Sequence, residues 1–128
     1  MLTHSTILFD LDGTLIDPLE DAVATVNHMR RSFGLPEQTP EQVSAGMGRG
    51  INHLVTVSLP DGCGVPVEEA IKVYRDYYGE NFLNNTRPYD GIIEMLSALK
   101  REGAKTAVLS NKAHEYTVQI IEIGRAHV

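Results

Sequence analysis

Two aspartates two residues apart, Asp10 and Asp12, follow a short apolar run, Thr6-Ile7-Leu8-Phe9, and lead straight into Gly13 and Thr14. Buried strands do not normally finish in acids. At the carboxyl end of a strand in an open α/β sheet, however, side chains reach the crevice where ligands bind. Residues i and i+2 of an extended segment point the same way, so both carboxylates can face one reacting group. Crowded acids push each other's protonation states apart unless a cation joins them. That divides the labour: one ionised carboxylate as nucleophile, one carboxyl group as general acid and base. A calcium loop is the first rival. It needs oxygen ligands at loop positions one, three and five, Gly at six and Glu at twelve. Counted from Asp10, the last three of these are Thr14, Leu15 and Asp21, so that reading fails. A plain acidic turn is the other alternative.

The elements that must position these acids can be read from periodicity. Thr6 to Phe9 is a strand. From Asp17 to about Asn84 the pattern is helical, with no convincing strand. Ala22, Val23, Val26, Met29, Arg30 and Phe33 fall on one helix face, and Gly34 is a natural stop. Thr39-Pro40-Glu41-Gln42 reads as an N-cap, a Pro at the first helical position and a Gln completing a capping box. A helix over Gly50 to Leu59 precedes the breaker-rich stretch Pro60 to Pro66. Val67, Ala70, Ile71, Tyr74, Tyr78 and Phe82 then form the apolar face of a longer helix, read as packing. After Arg87-Pro88-Tyr89-Asp90-Gly91, residues Ile92, Ile93, Met95, Leu96 and Leu99 make an amphipathic helix ending near Gly103. Lys105 to Leu109 reads as a short buried strand and Ala113 to about Ile121 as a further helix. Strand, helix, strand and helix predict a doubly wound α/β core, with the helical block inserted after the first strand.

Within that block, Gly46-Met47-Gly48-Arg49-Gly50 is the candidate for substrate recognition. Glycines permit close approach of backbone to ligand, and Arg49 can clamp a carboxylate with two parallel hydrogen bonds. A flexible interhelix turn with a solvated Arg is the competing reading. Ser110-Asn111-Lys112, at the end of the second core strand, is a phosphate-site candidate; Ser110 as a helix N-cap is compatible with that, because helix N-termini attract phosphate. Lys112 either counters phosphate charge or is exposed. His28, His53 and His114 show no metal-like clustering, and surface or packing roles are favoured for them.

Asp10-Leu11-Asp12-Gly13-Thr14, Pro88-Tyr89-Asp90-Gly91 and Val108-Leu109-Ser110-Asn111-Lys112 together resemble the haloacid dehalogenase superfamily of phosphohydrolases. The similarity is to its phosphoglycolate phosphatase-like members, in which a helical cap follows the first motif. The resemblance implies a Rossmann-like doubly wound core from 1–16 and 87–121, with a helical cap over 17–86. It implies that Asp10 attacks phosphorus to form an aspartyl-phosphate. Asp12 would protonate the leaving alcohol and then activate the hydrolytic water. Mg²⁺ would be held by the Asp10 carboxylate and the Asp12 main-chain carbonyl. Gly13, Thr14, Ser110, Asn111 and Lys112 would lie at the phosphate. The implied activity is Mg²⁺-dependent hydrolysis of a small phosphorylated metabolite, phosphoglycolate foremost. A phosphosugar mutase of the β-phosphoglucomutase kind, or an inactive fragment or phosphate-binding module, are the alternatives.

The downstream phosphate Lys and third metal carboxylate of that superfamily have no counterpart here. Two core strands are too few to cover a sheet's faces, so the core is expected to be incomplete. At ~30 residues per βα unit, roughly 60 residues or more are missing. The ending Ile123-Gly124-Arg125-Ala126-His127-Val128 matches the translation of a common sequencing adapter, with Glu122 across the junction, so 122–128 is read as a non-native tail. The formal net charge of −6 and the lack of a basic run argue against nucleic acid or an anionic membrane as partner. A single cysteine, Cys63, allows no internal disulfide and fits a cytoplasmic protein. No signal peptide or membrane-spanning run is apparent.

Overall fold

The computed structural model describes residues 6–125, leaving 126–128 of the expected tail outside the described residues. The chain forms two compact units, 1–17 with 87–128, and 18–86.

In the first unit, β1 (Thr6–Phe9) is followed by a tight turn and a two-residue strand, β2 (Ile16–Asp17). The 18–86 unit is all helical: α1 (Leu19–Ser32), α2 (Pro40–Ala45), α3 (Ile51–Ser58) and α4 (Val67–Asn81). The chain returns through β3 (Arg87–Pro88), then α5 (Ile92–Arg101), β4 (Lys105–Val108) and α6 (His114–Arg125). β1 and β4 pair in parallel with Phe9 opposite Val108. β2 and β3 pair antiparallel, Ile16 with Pro88 and Asp17 with Arg87. That second ladder was not foreseen, because two-residue strands carry no periodicity.

The helical unit builds its own core. Val26 and Met29 of α1, Val43 of α2, Val55 of α3 and Ala70 of α4 are fully buried. Along α4 and its C-cap the i, i+4 series Tyr74, Tyr78 and Phe82 forms one aromatic stripe, the first pair stacked with ring centroids 5.6 Å apart and the second tilted at 5.5 Å. The expected capping box is formed: Thr39 Oγ1 accepts from Gln42 N at 3.2 Å, and Gln42 Oε1 accepts from Thr39 N at 2.8 Å. Thr39→Ala is therefore expected to cost about 1 kcal/mol, read from urea unfolding.

Polar groups brace this unit, two of them, Asp21 and Asn27, at positions that the apolar pattern does not mark. Asn27 donates to Gln38 O and accepts from Gln38 N, pinning the loop after α1. Buried Arg30 donates to the carbonyls of Pro36 and Ser58. Asp21, 3% exposed, accepts from Asn85 N, Asn85 Nδ2, Thr86 N and Thr86 Oγ1. It thus ties the first turn of α1 to the segment where the chain leaves the unit.

The first unit is much less covered. Lys105 to Leu109 was expected to be buried, but the strand ends at Val108 and Lys105, Thr106 and Ala107 are exposed. Leu8 is 65% and Leu109 73% exposed. Strongly amphipathic α5 has no buried residue. Burial depends on the elements packed against a strand, and a two-stranded sheet offers few. α6 runs on through Glu122 to Arg125, past the expected end near Ile121.

Candidate active site

The acids sit on the turn that leaves β1. Asp10 is exposed, Leu11 is 1% exposed and Asp12 is intermediate. The alternation expected of an extended segment therefore holds, with Leu11 as anchor and the two acids pointing away from it. Leu11 O accepts from Thr14 N, Leu15 N and Ile16 N at 2.9 to 3.2 Å, while Gly13 N donates to Ile16 O at 2.9 Å. Gly13 has φ +80°, in the left-handed region that a side chain disfavours. Buried Leu15 and Ile16 fasten the far side of the turn.

The second motif arrives from β4. Leu109 N donates to Phe9 O at 2.8 Å, extending the parallel pairing one residue past the strand. Asp10–Asp12 and Ser110–Lys112 therefore leave the carboxyl ends of neighbouring parallel strands, where α/β sheets bind ligands. Ser110 Oγ accepts from Lys112 N at 3.1 Å, closing a local side-chain turn. Its hydroxyl proton is a donor in addition to that bond. α6 begins at His114, so Ser110 is not its N-cap.

Lys112 Nζ lies 3.3 Å from both carboxylate oxygens of Asp12. The two side chains are 8% and 27% exposed. This contact joins motifs that are 100 residues apart, and sequence reasoning did not foresee it. Of the predicted site residues, Asp10, Asp12, Gly13, Thr14, Ser110, Asn111 and Lys112 belong to the first unit. Arg49 belongs to the helical unit, exposed between Gly48 (φ +105°) and Gly50 (φ +89°), with Gly50 as N-cap of α3. His28 stacks on Tyr77 at 4.2 Å.

The donor set suits a hard cation in part. Two carboxylates and turn carbonyls are the oxygen ligands that Mg²⁺ takes, and Mg²⁺ often uses only one or two protein carboxylates plus phosphate oxygens. Among the described residues, no cluster of three or more His, Cys, Asp or Glu side chains is placed to hold a metal.

Comparison with known proteins agrees with this geometry. The family model described as haloacid dehalogenase-like hydrolase matches residues 7–125. A phosphoglycolate phosphatase of Aquifex aeolicus is 40% identical over 117 residues, covering 91% of this chain and 54% of that protein. An N-acetylmuramic acid 6-phosphate phosphatase of Pseudomonas aeruginosa is 32% identical, covering 91% of this chain and 52% of that protein. The crystal structure of a predicted phosphoglycolate phosphatase from Haemophilus somnus superimposes with a TM-score of 0.81 at 29% identity, over 91% of this chain and 55% of that one. The chain thus spans about half the length of the relatives it matches. With both motifs side by side at the strand ends, and an incomplete α/β core of the matching fold, this chain belongs to the haloacid dehalogenase-like hydrolase family.

Proposed function

We propose that this chain carries the nucleophile half of a Mg²⁺-dependent phosphatase for small phosphorylated metabolites. The observation that carries the reading is the juxtaposition of Asp10 and Asp12 with Ser110–Lys112 at the ends of paired β1 and β4. Asp10, exposed beyond β1, attacks phosphorus and forms an aspartyl-phosphate as the alcohol departs. Asp12 gives its proton to the departing alkoxide and then takes one from the water that cleaves the acyl-phosphate. The Ser110 hydroxyl and the backbone around Asn111, Gly13 and Thr14 hold the phosphoryl oxygens. Bound Mg²⁺ would supply charge neutralisation between the acids and the phosphate dianion. Its holders on this chain are the Asp10 carboxylate and the Asp12 main-chain carbonyl.

The substrate is assigned by class. Relatives named for phosphoglycolate and for a phosphosugar acid both support a small phosphate ester that carries a carboxylate. Arg49, on the turn before α3, is the residue we assign to that carboxylate, through a bidentate pair. In the same reading 17–86 is the helical cap and 1–16 with 87–121 the partial core, in a cytosolic enzyme. A second reading concerns the chain by itself: a phosphate-binding half-site without turnover. It is favoured by the exposure of Leu8 on β1 and of Leu109 just past β4.

The test is phosphate release from a panel of small esters, phosphoglycolate included, with Mg²⁺ or with EDTA. The complete gene product is expected to turn over only with Mg²⁺, and the 128-residue chain to release nothing measurable. No release by the gene product refutes the phosphatase reading. Equal release by the short chain refutes the half-site reading.

A further inference from the structure

We infer that Lys112 is a positioning residue for Asp12 rather than a phosphate ligand, holding the motif-one acid from the neighbouring strand end; this rests on the phosphatase reading. Three features point to it. The Nζ is equidistant, 3.3 Å, from both Asp12 oxygens, so it bridges the carboxylate instead of touching one edge. The Lys112 side chain is 8% exposed in a part-buried pair, so the ammonium gives up part of its water and the carboxylate beside it offsets that loss. The stem that delivers it is also fixed: Lys112 N donates to Ser110 Oγ, and Lys112 O lies 3.5 Å from the Thr117 hydroxyl of α6.

The consequence is specific to Asp12. A carboxylate on a turn has free rotation about its side-chain bonds, and as general base it must meet the hydrolytic water within hydrogen-bond reach. The Lys112 bridge restricts that rotation, and its hold passes from β4 to β1. A phosphate ligand would act otherwise, by raising affinity for the dianion itself.

The experiment separates these roles in the gene product containing this chain. Lys112→Met is expected to lower kcat on an alkyl phosphate about 10²-fold, the scale of an angstrom-sized misplacement. KM and inhibition by inorganic phosphate should stay within about two-fold, because neither depends on where Asp12 points. Lys112→Arg, which keeps a cation at the bridge, should recover part of kcat. A rise of KM and of the inorganic phosphate inhibition constant together, with kcat little changed, overturns the proposal in favour of a phosphate ligand. If the wild type shows no turnover, the phosphatase reading fails, and the carboxyl ¹³C resonances of the 128-residue chain decide the positioning claim. Both variants should move the Asp12 signal and leave Asp10 in place; an unmoved Asp12 signal overturns it. The Arg variant keeps that reading available should Lys112→Met not fold.

Discussion

Asp10→Asn is expected to reduce Mg²⁺-dependent phosphate release by about 10⁴-fold or more, since loss of a nucleophile exceeds the ~10²–10⁴ of a general acid–base. The amide matches the carboxylate in shape but cannot form the covalent link to phosphorus. Because Asp10 is exposed beyond β1, the fold should be unaffected, with stability within about 0.5 kcal/mol of wild type. Asp12→Asn should behave differently. It leaves attack by Asp10 intact in principle and removes both proton transfers, so a loss of ~10²–10⁴ is expected. It also leaves Lys112 facing a neutral amide, which weakens the tie between the strand ends. Steady-state rates on one alkyl ester, with circular dichroism as the control for folding, check both.

The second large effect falls on stability, in the helical unit. Asp21→Ala should destabilise the chain by roughly 2 to 3 kcal/mol, because hydrogen bonds to a charged acceptor contribute ~1.5–3 kcal/mol each while the partly exposed donors of Asn85 and Thr86 regain water. The orphaned groups are the Asn85 and Thr86 backbone amides together with the Asn85 amide and Thr86 hydroxyl. Asp21→Asn retains one acceptor oxygen of the right shape and should cost less than half as much. Urea midpoints of the 128-residue chain distinguish the variants. An Ala variant within about 1 kcal/mol of wild type would show that the Asp21 bonds are replaced by water at no loss. Asp21 fastens the chain where it enters the helical unit to where it leaves.

Asp21 leaves no mark in the sequence, for a physical reason. It lies in the first turn of α1, where an acid is ordinary because it complements the helix dipole. Its partners are 64 and 65 residues away, and hydrogen bonds to backbone leave no trace in residue type. Thr25 and Asn27 on the same helix are buried too, bonded to the carbonyls of Asp21 and Gln38. The apolar face itself was legible: Ala22, Val26 and Met29 are buried as periodicity requires. So was the start of α2, where Thr39, Pro40 and Gln42 each do a local job within a single turn.

The site divides along the same line. The turn after β1 was readable because an apolar run ends in two acids and a glycine, and local chemistry alone dictates its course. That Ser110–Lys112 would leave the adjacent strand agrees with the parallel order of βα units. The Lys112 bridge to Asp12 was not readable, since a lysine after Ser-Asn fits phosphate and carboxylate equally well. Burial of β4 was misread for a different reason. Periodicity reports which residues prefer to be covered, while Leu8 and Leu109 show that covering needs further elements.

The central claim, that Asp10 is the nucleophile, is tested most directly by trapping the covalent intermediate. The Mg²⁺-loaded gene product is mixed with a small phosphate ester, quenched in acid within the first turnover, digested and read by mass spectrometry. The account predicts one phosphoryl group on Asp10 and none in Asp10→Asn. A phosphoryl group on another residue, or full turnover with Asp10 never modified and with Asp10→Asn still active, would contradict it.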